Sequence, residues 1–359
     1  MKYIICYTLC GNSLSLFFST VVNELIKRGN EVVVITDHSI TKKRFIRDDC
    51  TLYTWPSKRP TQLKDAIFFY NVCKRHIPDV VIANFGAENI AMIVSFLCGI
   101  KNRVCYYHTI EMNQTHSFSQ FLLKWRKMLV YLLTTRIVAV SSSAASDLHS
   151  KYYYPFRKIS VLYSLVHKQD NFNVARNYEQ FVCIGSLIDR KGQIDIIKAL
   201  PIVVRRYPNV SVVICGDGPN RKWLIEEARS LCVDSNIVFK GVVTPSEVNF
   251  YCAQSVCALL CSRAEAFGLA ALEPLLYGTP VITTGVDGIK EIICNEVNGL
   301  FYSCGDSNQL ADMMLKLLDN HDLWSSLSKG AFRVFNEKFS FENNLSSYIE
   351  SYELLFNNN

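Results

Sequence analysis

The chain has 359 residues, 49% of them hydrophobic, and a net charge of +6; it is long for one core and carries no low-complexity tract, so disorder is excluded and two domains are expected. Its 14 cysteines form no CxxC pair, and Lys2 runs straight into the apolar "YIICYTLC" without a small-residue cleavage site. These features argue against a zinc site, a disulfide framework or a secretory leader, and for buried thiols in a reducing cytoplasm.

The charge is uneven: residues 1–170 carry 22 Lys+Arg against 11 Asp+Glu, and residues 171–359 carry 16 against 21. A basic half on a near-neutral whole points to an anionic partner for that half. No apolar run reaches the roughly 18 residues of a membrane span. "AMIVSFLCGI" and "MLVYLLTTRIVAV" are both too short, so the expectation is a soluble or membrane-peripheral protein.

In chain order, the strand "KYIICYTL" leads into a helix over 14–28, stopped by Gly29, and then into "EVVVIT". "PDVVIANF", "NRVCYYHT", "TRIVAVS" and "KISVLYS" are further buried strands. Between them, "SFSQFLLKWRKMLVYL" (117–132) puts Phe118, Phe121, Leu122, Trp125 and Leu129 on one helical face, flanked by Lys124, Arg126 and Lys127. Such a helix either faces a core with its cations solvated, or lies on an anionic bilayer with Lys124, Trp125, Arg126 and Lys127 at the membrane surface. The polar stretch 166–180, "VHKQDNFNVARNYEQ", has no strand pattern and reads as an interdomain linker. Beyond it, "QFVCIGSL", "VSVVICGDG", "NIVFKGVV", "VCALLCS" and "TPVITTG" repeat the rhythm of short apolar strands between helices. That rhythm implies parallel sheets covered on both faces. The final "FSFENNLSSYIESYELLF" has helical spacing, with Ser340 as N-cap and Asn343 at the capping-box position.

The strand "VCALLCS" is followed by the turn "RAEAFG" and the helix "LAALEPLLYG". Ligands of open parallel sheets lie at that carboxyl edge. There the amides of Phe267, Gly268 and Leu269 open a helix and suit anionic oxygen. Gly268 permits close backbone approach. Glu265 precedes the helix, and Glu273 lies about two turns into it, so both carboxylates could accept hydrogen bonds from sugar hydroxyls. Spacing alone equally fits an acidic first turn and a surface glutamate. A second glycine turn, "IGSLIDRKG" (184–192), offers Lys191 and Arg190 over Gly185 and Ser186 as a phosphate site, or simply two solvated cations. A third, "CGDGPNRKWL", reads mostly as turn chemistry. No G-x-G-x-x-G follows the first strand and no P-loop is present, so a nicotinamide enzyme or P-loop ATPase is not supported.

Together these stretches resemble the nucleotide-sugar-dependent retaining glycosyltransferases of family 4. The resemblance is carried by "IGSLIDRKGQIDIIKAL", "VSVVICGDGPNRKWLIEEA", "NIVFKGVV", "SRAEAFGLAALEPLLYGTPVITTGVDGIKEII" (an E-x7-E pattern) and "NEVNGLFYSCGDSNQLADMMLKLL", over roughly residues 180–335. It implies an α/β GT-B fold: two facing Rossmann-like domains with parallel sheets, over 1–168 and 169–338, and a C-terminal helix over 339–359 that either closes on the nearer domain or returns to the first. It also implies roles. Lys191 contacts the donor diphosphate, Glu273 the ribose, and Glu265 the transferred sugar. The Phe267–Leu269 amides bind sugar and phosphate oxygens.

Ser186 stands where the family usually has arginine, with Arg190 as its substitute. Gly11, with Asn12, occupies the first glycine loop, an acceptor-binding position. His108 stands where the family often has a histidine beside the donor sugar. "ISVLYSLVH" lacks the family's Asn-Gly-Val-Asp ending. The implied reaction moves a sugar from a nucleotide-sugar, with UDP favoured, to a glycan or lipid-linked acceptor, with retention. No cofactor or metal is expected, since no D-x-D pair lies beside the motifs. The expected place is the cytoplasm, peripheral to the inner face of the plasma membrane, in surface-polysaccharide or lipopolysaccharide assembly. The alternatives are a nucleotide-sugar 2-epimerase of the same fold and a basic nucleic-acid-binding protein; no nucleic-acid reading motif supports the second.

Overall fold

Apolar β-branched runs that cannot be half-solvated form the centre of each half of the protein, in a computed structural model that describes residues 1–9, 13–37, 45–110, 118–167 and 174–357. The described strands are β1 (Lys2–Cys6), β2 (Glu31–Thr36), β3 (Thr51–Thr54), β4 (Val80–Ala83), β5 (Asn102–Tyr107), β6 (Arg136–Ala139), β7 (Ile159–Val161), β8 (Asn177–Ile184), β9 (Ser211–Cys215), β10 (Ile237–Gly241), β11 (Ser255–Leu260), β12 (Val281–Thr283) and β13 (Gly299–Phe301). The helices are α1 (Ser13–Lys27), α2 (Leu63–His76), α3 (Glu88–Leu97), α4 (Phe118–Leu132), α5 (Ser142–Tyr152), α6 (Ile194–Val204), α7 (Arg221–Ser230), α8 (Pro245–Gln254), α9 (Leu269–Leu275), α10 (Ile289–Ile292), α11 (Ser307–Asp319), α12 (His321–Lys338) and α13 (Phe341–Asn357). The chain divides into two compact units, Met1–Leu165 with Leu345–Asn359, and Val166–Asn344.

In the first unit a seven-stranded parallel sheet runs in the order β3-β2-β1-β4-β5-β6-β7. The order reverses between β1 and β4. Tyr3–Cys6, Val32–Ile35 and Val80–Ala83 are buried throughout, as expected of parallel strands covered on both faces. The C-terminal helix α13 closes this unit with aromatic packing. Tyr348 meets Phe17 edge-on at 5.4 Å and shares a buried hydroxyl pair with Tyr106 at 3.0 Å, while Phe356 packs on Tyr3.

In the second unit a six-stranded parallel sheet has the order β10-β9-β8-β11-β12-β13. Its reversal falls between β8 and β11. The two sheets with their flanking helices constitute two Rossmann-like domains, a GT-B architecture. Arg176 pins the base of the second sheet. Its guanidinium donates to Ser255 O at 2.5 Å, Thr279 Oγ1 at 2.7 Å and Tyr277 O at 2.8 Å, and it lies over the Trp324 ring.

Three local expectations need correction. Residues 177–180 are not linker: they begin β8, which pairs with β9 and β11. Their exposed first residues hide the strand signal. Strands β3 and β13 were not anticipated; β3 is a four-residue edge with no fully buried position, and β13 has three residues. At the start of α13, Asn343 does not reach back to the helix start but donates to Asn336 O at 2.8 Å, and the Ser340 hydroxyl donates to Glu342 at 2.6 Å. Every cysteine among the described residues is free.

Candidate functional site

The loops after β8 and β11 leave neighbouring strands at the reversal of strand order, where crossovers diverge and an open sheet forms its ligand crevice. The structure brings two of the singled-out residues into direct contact there. Lys191 Nζ forms an ion pair with Glu265 Oε2, and both side chains are only 15% exposed. Ser262 Oγ approaches the same carboxylate oxygen at 3.4 Å. Gly185 lies under the lysine stem: a Cβ there would stand 3.8 Å from Lys191 Cε. Ser186 is exposed, and its carbonyl accepts from Gln193 Nε2 at 3.0 Å.

Backbone contacts fix the frame around this pair. Gly185 N donates to Cys215 O and Leu187 N to Asp217 O, both at 3.0 Å, joining the turns after β8 and β9. Gly216 fits only without a side chain, since a Cβ would collide with Gly185 O. Residues 189–191 form a short 3-10 turn whose Arg190 carbonyl accepts from Arg263 N at 2.7 Å. On the other side, Asp287 Oδ2 accepts from Glu265 N at 3.2 Å, and Gly288 N returns a bond to Glu265 O at 3.1 Å. Asp287 achieves this with a left-handed φ of 43°, a conformation seldom taken by residues with a side chain.

Gly268 has φ 103° and precedes α9, a backbone state that favours glycine. The Phe267 side chain is buried and packs on Phe339 at 6.0 Å, so only its backbone faces the loop; Leu269 is half-buried. The helix is shorter than the pattern suggested. Pro274 lies in its last turn and its carbonyl accepts from Tyr277 and Thr279, so α9 ends at Leu275 before Gly278. Glu273 is its fifth residue, little more than one turn in rather than two. It is half-buried, and its charge helps hold the Cys252 thiol above its ordinary pKa, behind the larger effect of burial.

Sequence reading missed Arg263, Asp195, Tyr302 and Asp287. Arg263 grips Asp195 with two hydrogen bonds, Nη1 to Oδ2 at 2.5 Å and Nη2 to Oδ1 at 2.6 Å, and Tyr302 OH donates to the same carboxylate at 3.1 Å. Arg263 and Asp195 are 68 residues apart, which no local pattern reveals. Among the described residues no group of three or more His, Cys, Asp or Glu is placed to hold a metal ion.

In the first unit, the reversal between β1 and β4 presents a different group. Asn84 donates from Nδ2 to Cys6 O at 3.1 Å, which turns its Oδ1 toward His108 Nε2 at 2.8 Å. His108 Nε2 is therefore the donor and Nδ1 the ring's acceptor. The imidazole is sandwiched between Phe85 at 4.6 Å and Tyr106 at 5.5 Å. Phe85 holds its place with φ 54°. Glu88, opening α3, has its pKa raised to about 8 by burial, with Lys127 pulling the other way. Gly11 and Asn12 lie outside the described residues. On α4, Lys124 lies over the Tyr153 ring and Lys127 over Tyr152, while Leu122, Trp125 and Leu129 are 53%, 49% and 60% exposed. This face is not packed into a core; Val130 and Tyr131 are. Arg126 is exposed on the same helix, and the Phe118 side chain lies outside the described residues.

Burial between the aromatic rings pushes His108 from 6.5 down to about 3. The folded state thus keeps the imidazole neutral while the unfolded chain takes up a proton. His108 contributes stability above its unfolded pKa and loses it as the pH falls toward the folded value. Imidazole ¹⁵N shifts should stay those of the neutral Nε2–H tautomer between about pH 5 and pH 8; a titration near the ordinary histidine value would contradict this geometry.

Residues 17–169 match the family model described as Glycosyltransferase Family 4, and residues 167–334 match Glycosyl transferases group 1. The chain is 25% identical to an uncharacterized glycosyltransferase of Methanocaldococcus jannaschii over 61% of its own length and 60% of the relative's. It is 24% identical to an alpha-monoglucosyldiacylglycerol synthase of Streptococcus pneumoniae, over 89% of its own length and 78% of the relative's. The chain thus spans less than two thirds of the first of these relatives. Among solved structures, Anabaena HepE in complex with UDP-glucose superposes with a TM-score of 0.79 at 16% identity, covering 99% of this chain and 100% of that one. The two models together account for residues 17–334, and both describe glycosyltransferases.

Proposed function

We propose that the protein transfers a sugar from a nucleotide-sugar donor to a glycan or lipid-linked acceptor, with retention of anomeric configuration. The observation that carries this reading is the meeting of Lys191 with Glu265 at the strand-order reversal of the second sheet. A cation beside a carboxylate matches the two ends of a donor's reacting bond, a diphosphate and a sugar bearing hydroxyls. Lys191 neutralises the charge that builds on the departing diphosphate. Glu265 accepts hydrogen bonds from the transferred sugar, and Glu273 from the ribose. Phe267, Gly268 and Leu269 present backbone to the donor, with Gly185, Ser186 and Arg190 lining the diphosphate. Neither glutamate is marked as a nucleophile, and the proposed route is a front-side process assisted by the leaving phosphate, without a metal. UDP is the favoured nucleotide, a choice supported by the UDP-glucose complex of the Anabaena neighbour.

In the first unit His108, neutral and oriented by Asn84, provides a hydrogen-bonding partner for substrate, with Gly11 and Asn12 on the acceptor side. The exposed apolar face of α4 and its cations Lys124, Arg126 and Lys127 lie on an anionic bilayer, at the inner face of the plasma membrane. A lipid-linked acceptor in surface-polysaccharide assembly fits that location, and the relative named for monoglucosyldiacylglycerol synthesis supports a lipid acceptor. Among the described residues no helix is long and apolar enough to cross a membrane.

Thermal-shift screening against UDP, GDP and ADP should raise the melting temperature with UDP most, because a ligand bound only by the folded state stabilises it. With the matching sugar donor, Glu265→Ala should reduce turnover by at least about a hundredfold in a chain that still folds at the assay temperature. Full residual turnover would remove Glu265 from the mechanism. For the membrane, the protein should sediment with phosphatidylglycerol vesicles and not with phosphatidylcholine vesicles. Trp125→Glu combined with Leu129→Glu should abolish that binding, and equal sedimentation of the variant would refute the assignment of α4.

A further inference from the structure

We infer that Arg263 and Asp195 are positioning residues, a clamp between two loops that fixes where Lys191 stands and thereby governs affinity for a nucleoside diphosphate. This deepens the donor-site reading and rests on it. Lys191 lies between two points that Arg263 holds at once. On one side, Arg263 N donates to Arg190 O at 2.7 Å; on the other, its guanidinium grips the carboxylate of Asp195 in the first turn of α6. Asp195 is 4% exposed in its side chain and takes a third hydrogen bond from Tyr302. The lysine between these anchors has little slack. Gly192 follows it with φ 62°, and a Cβ there would collide with Cys261 O and stand 3.2 Å from Arg263 Cζ. The loops over 190–195 and 261–265 are therefore in backbone contact on both sides of Lys191.

Arg263 is two residues from Glu265, so the same side chain fixes the start of the segment that delivers the carboxylate. Both of its terminal nitrogens are engaged with Asp195, and Nη1 also approaches Cys304 Sγ at 3.3 Å. The guanidinium is thus committed to the protein rather than offered to a ligand. A planar fork on a buried carboxylate fixes direction as well as distance, which a lysine cannot do. Displacement of a binding group by about 1 Å is enough to cost large factors in ligand affinity and rate. The clamp acts through Lys191, and this separates it from a residue that touches the ligand.

A double-mutant cycle tests it. Dissociation constants for UDP, GDP and ADP are measured by calorimetry, well below every melting temperature, for the wild type, Arg263→Gln, Lys191→Ala and the double variant. For the best-bound nucleotide, Arg263→Gln should weaken binding about tenfold in the wild-type background and less than about twofold once Lys191 is gone, because coupled residues are not additive. Equal losses in both backgrounds, or a lowered melting temperature with unchanged affinity, would overturn the clamp and leave Arg263 a merely structural residue. If Arg263→Gln does not fold, Asp195→Asn takes its place in the same cycle with the same expectation. Lys191→Ala without effect on binding, or no binding of any of the three nucleotides, would overturn the donor-site reading itself.

Discussion

The account depends on one ion pair, between Lys191 and Glu265 at the carboxyl ends of β8 and β11. Two charges removed from most of the solvent lose hydration that their mutual attraction only partly returns, so such a pair is a weak reason for stability. Its value here is as a poised arrangement. On the proposed donor-site reading, the lysine exchanges its carboxylate partner for a phosphate, and the released carboxylate turns to sugar hydroxyls. The strand order makes the pair possible, because crossovers leave β8 and β11 in opposite directions and open a crevice between them.

Around the pair, close backbone approach does most of the organising. Gly216 abuts Gly185 O, Gly192 abuts Cys261 O, and Gly288 abuts Ala266 O, each without room for a side chain. Asp287 and Arg263 add the polar contacts that hold the Glu265 segment from two sides. The first unit uses another device. Its histidine is kept neutral by aromatic burial and aimed by an asparagine, whose own orientation is set by the end of β1.

Much of this was legible in the sequence, for identifiable reasons. Strands such as "VVIA" and "SVCALL" are buried along their whole length, so they appear as continuous apolar runs. The glycine turns after β8 and β11 were visible because turn chemistry is local. Edge strand β3 was not, since solvent reaches each of its residues and leaves no periodicity; the start of β8 at Asn177 failed for the same reason. Pro274 lies in the last turn of α9, and the helix begins only at Leu269, after the left-handed Gly268, which leaves Glu273 its fifth residue. The Arg263–Asp195 grip and the Asp287 contact to Glu265 span 68 and 22 residues. Only the tertiary fold brings those partners together. The mixture of apolar and basic residues on α4 left two readings open, and the exposure of Leu122, Trp125 and Leu129 decides against the core-facing one.

The central claim is that Glu265 competes with the diphosphate for Lys191. Its most direct measurement is the affinity of Glu265→Gln for UDP against that of the wild type, by calorimetry at neutral pH. Neutralising the carboxylate frees the lysine and removes a repulsion from the phosphates, so UDP should bind the variant tighter by about threefold to tenfold. An affinity equal to or weaker than that of the wild type would show that Glu265 and the diphosphate do not share Lys191 as a partner, and the account would fail.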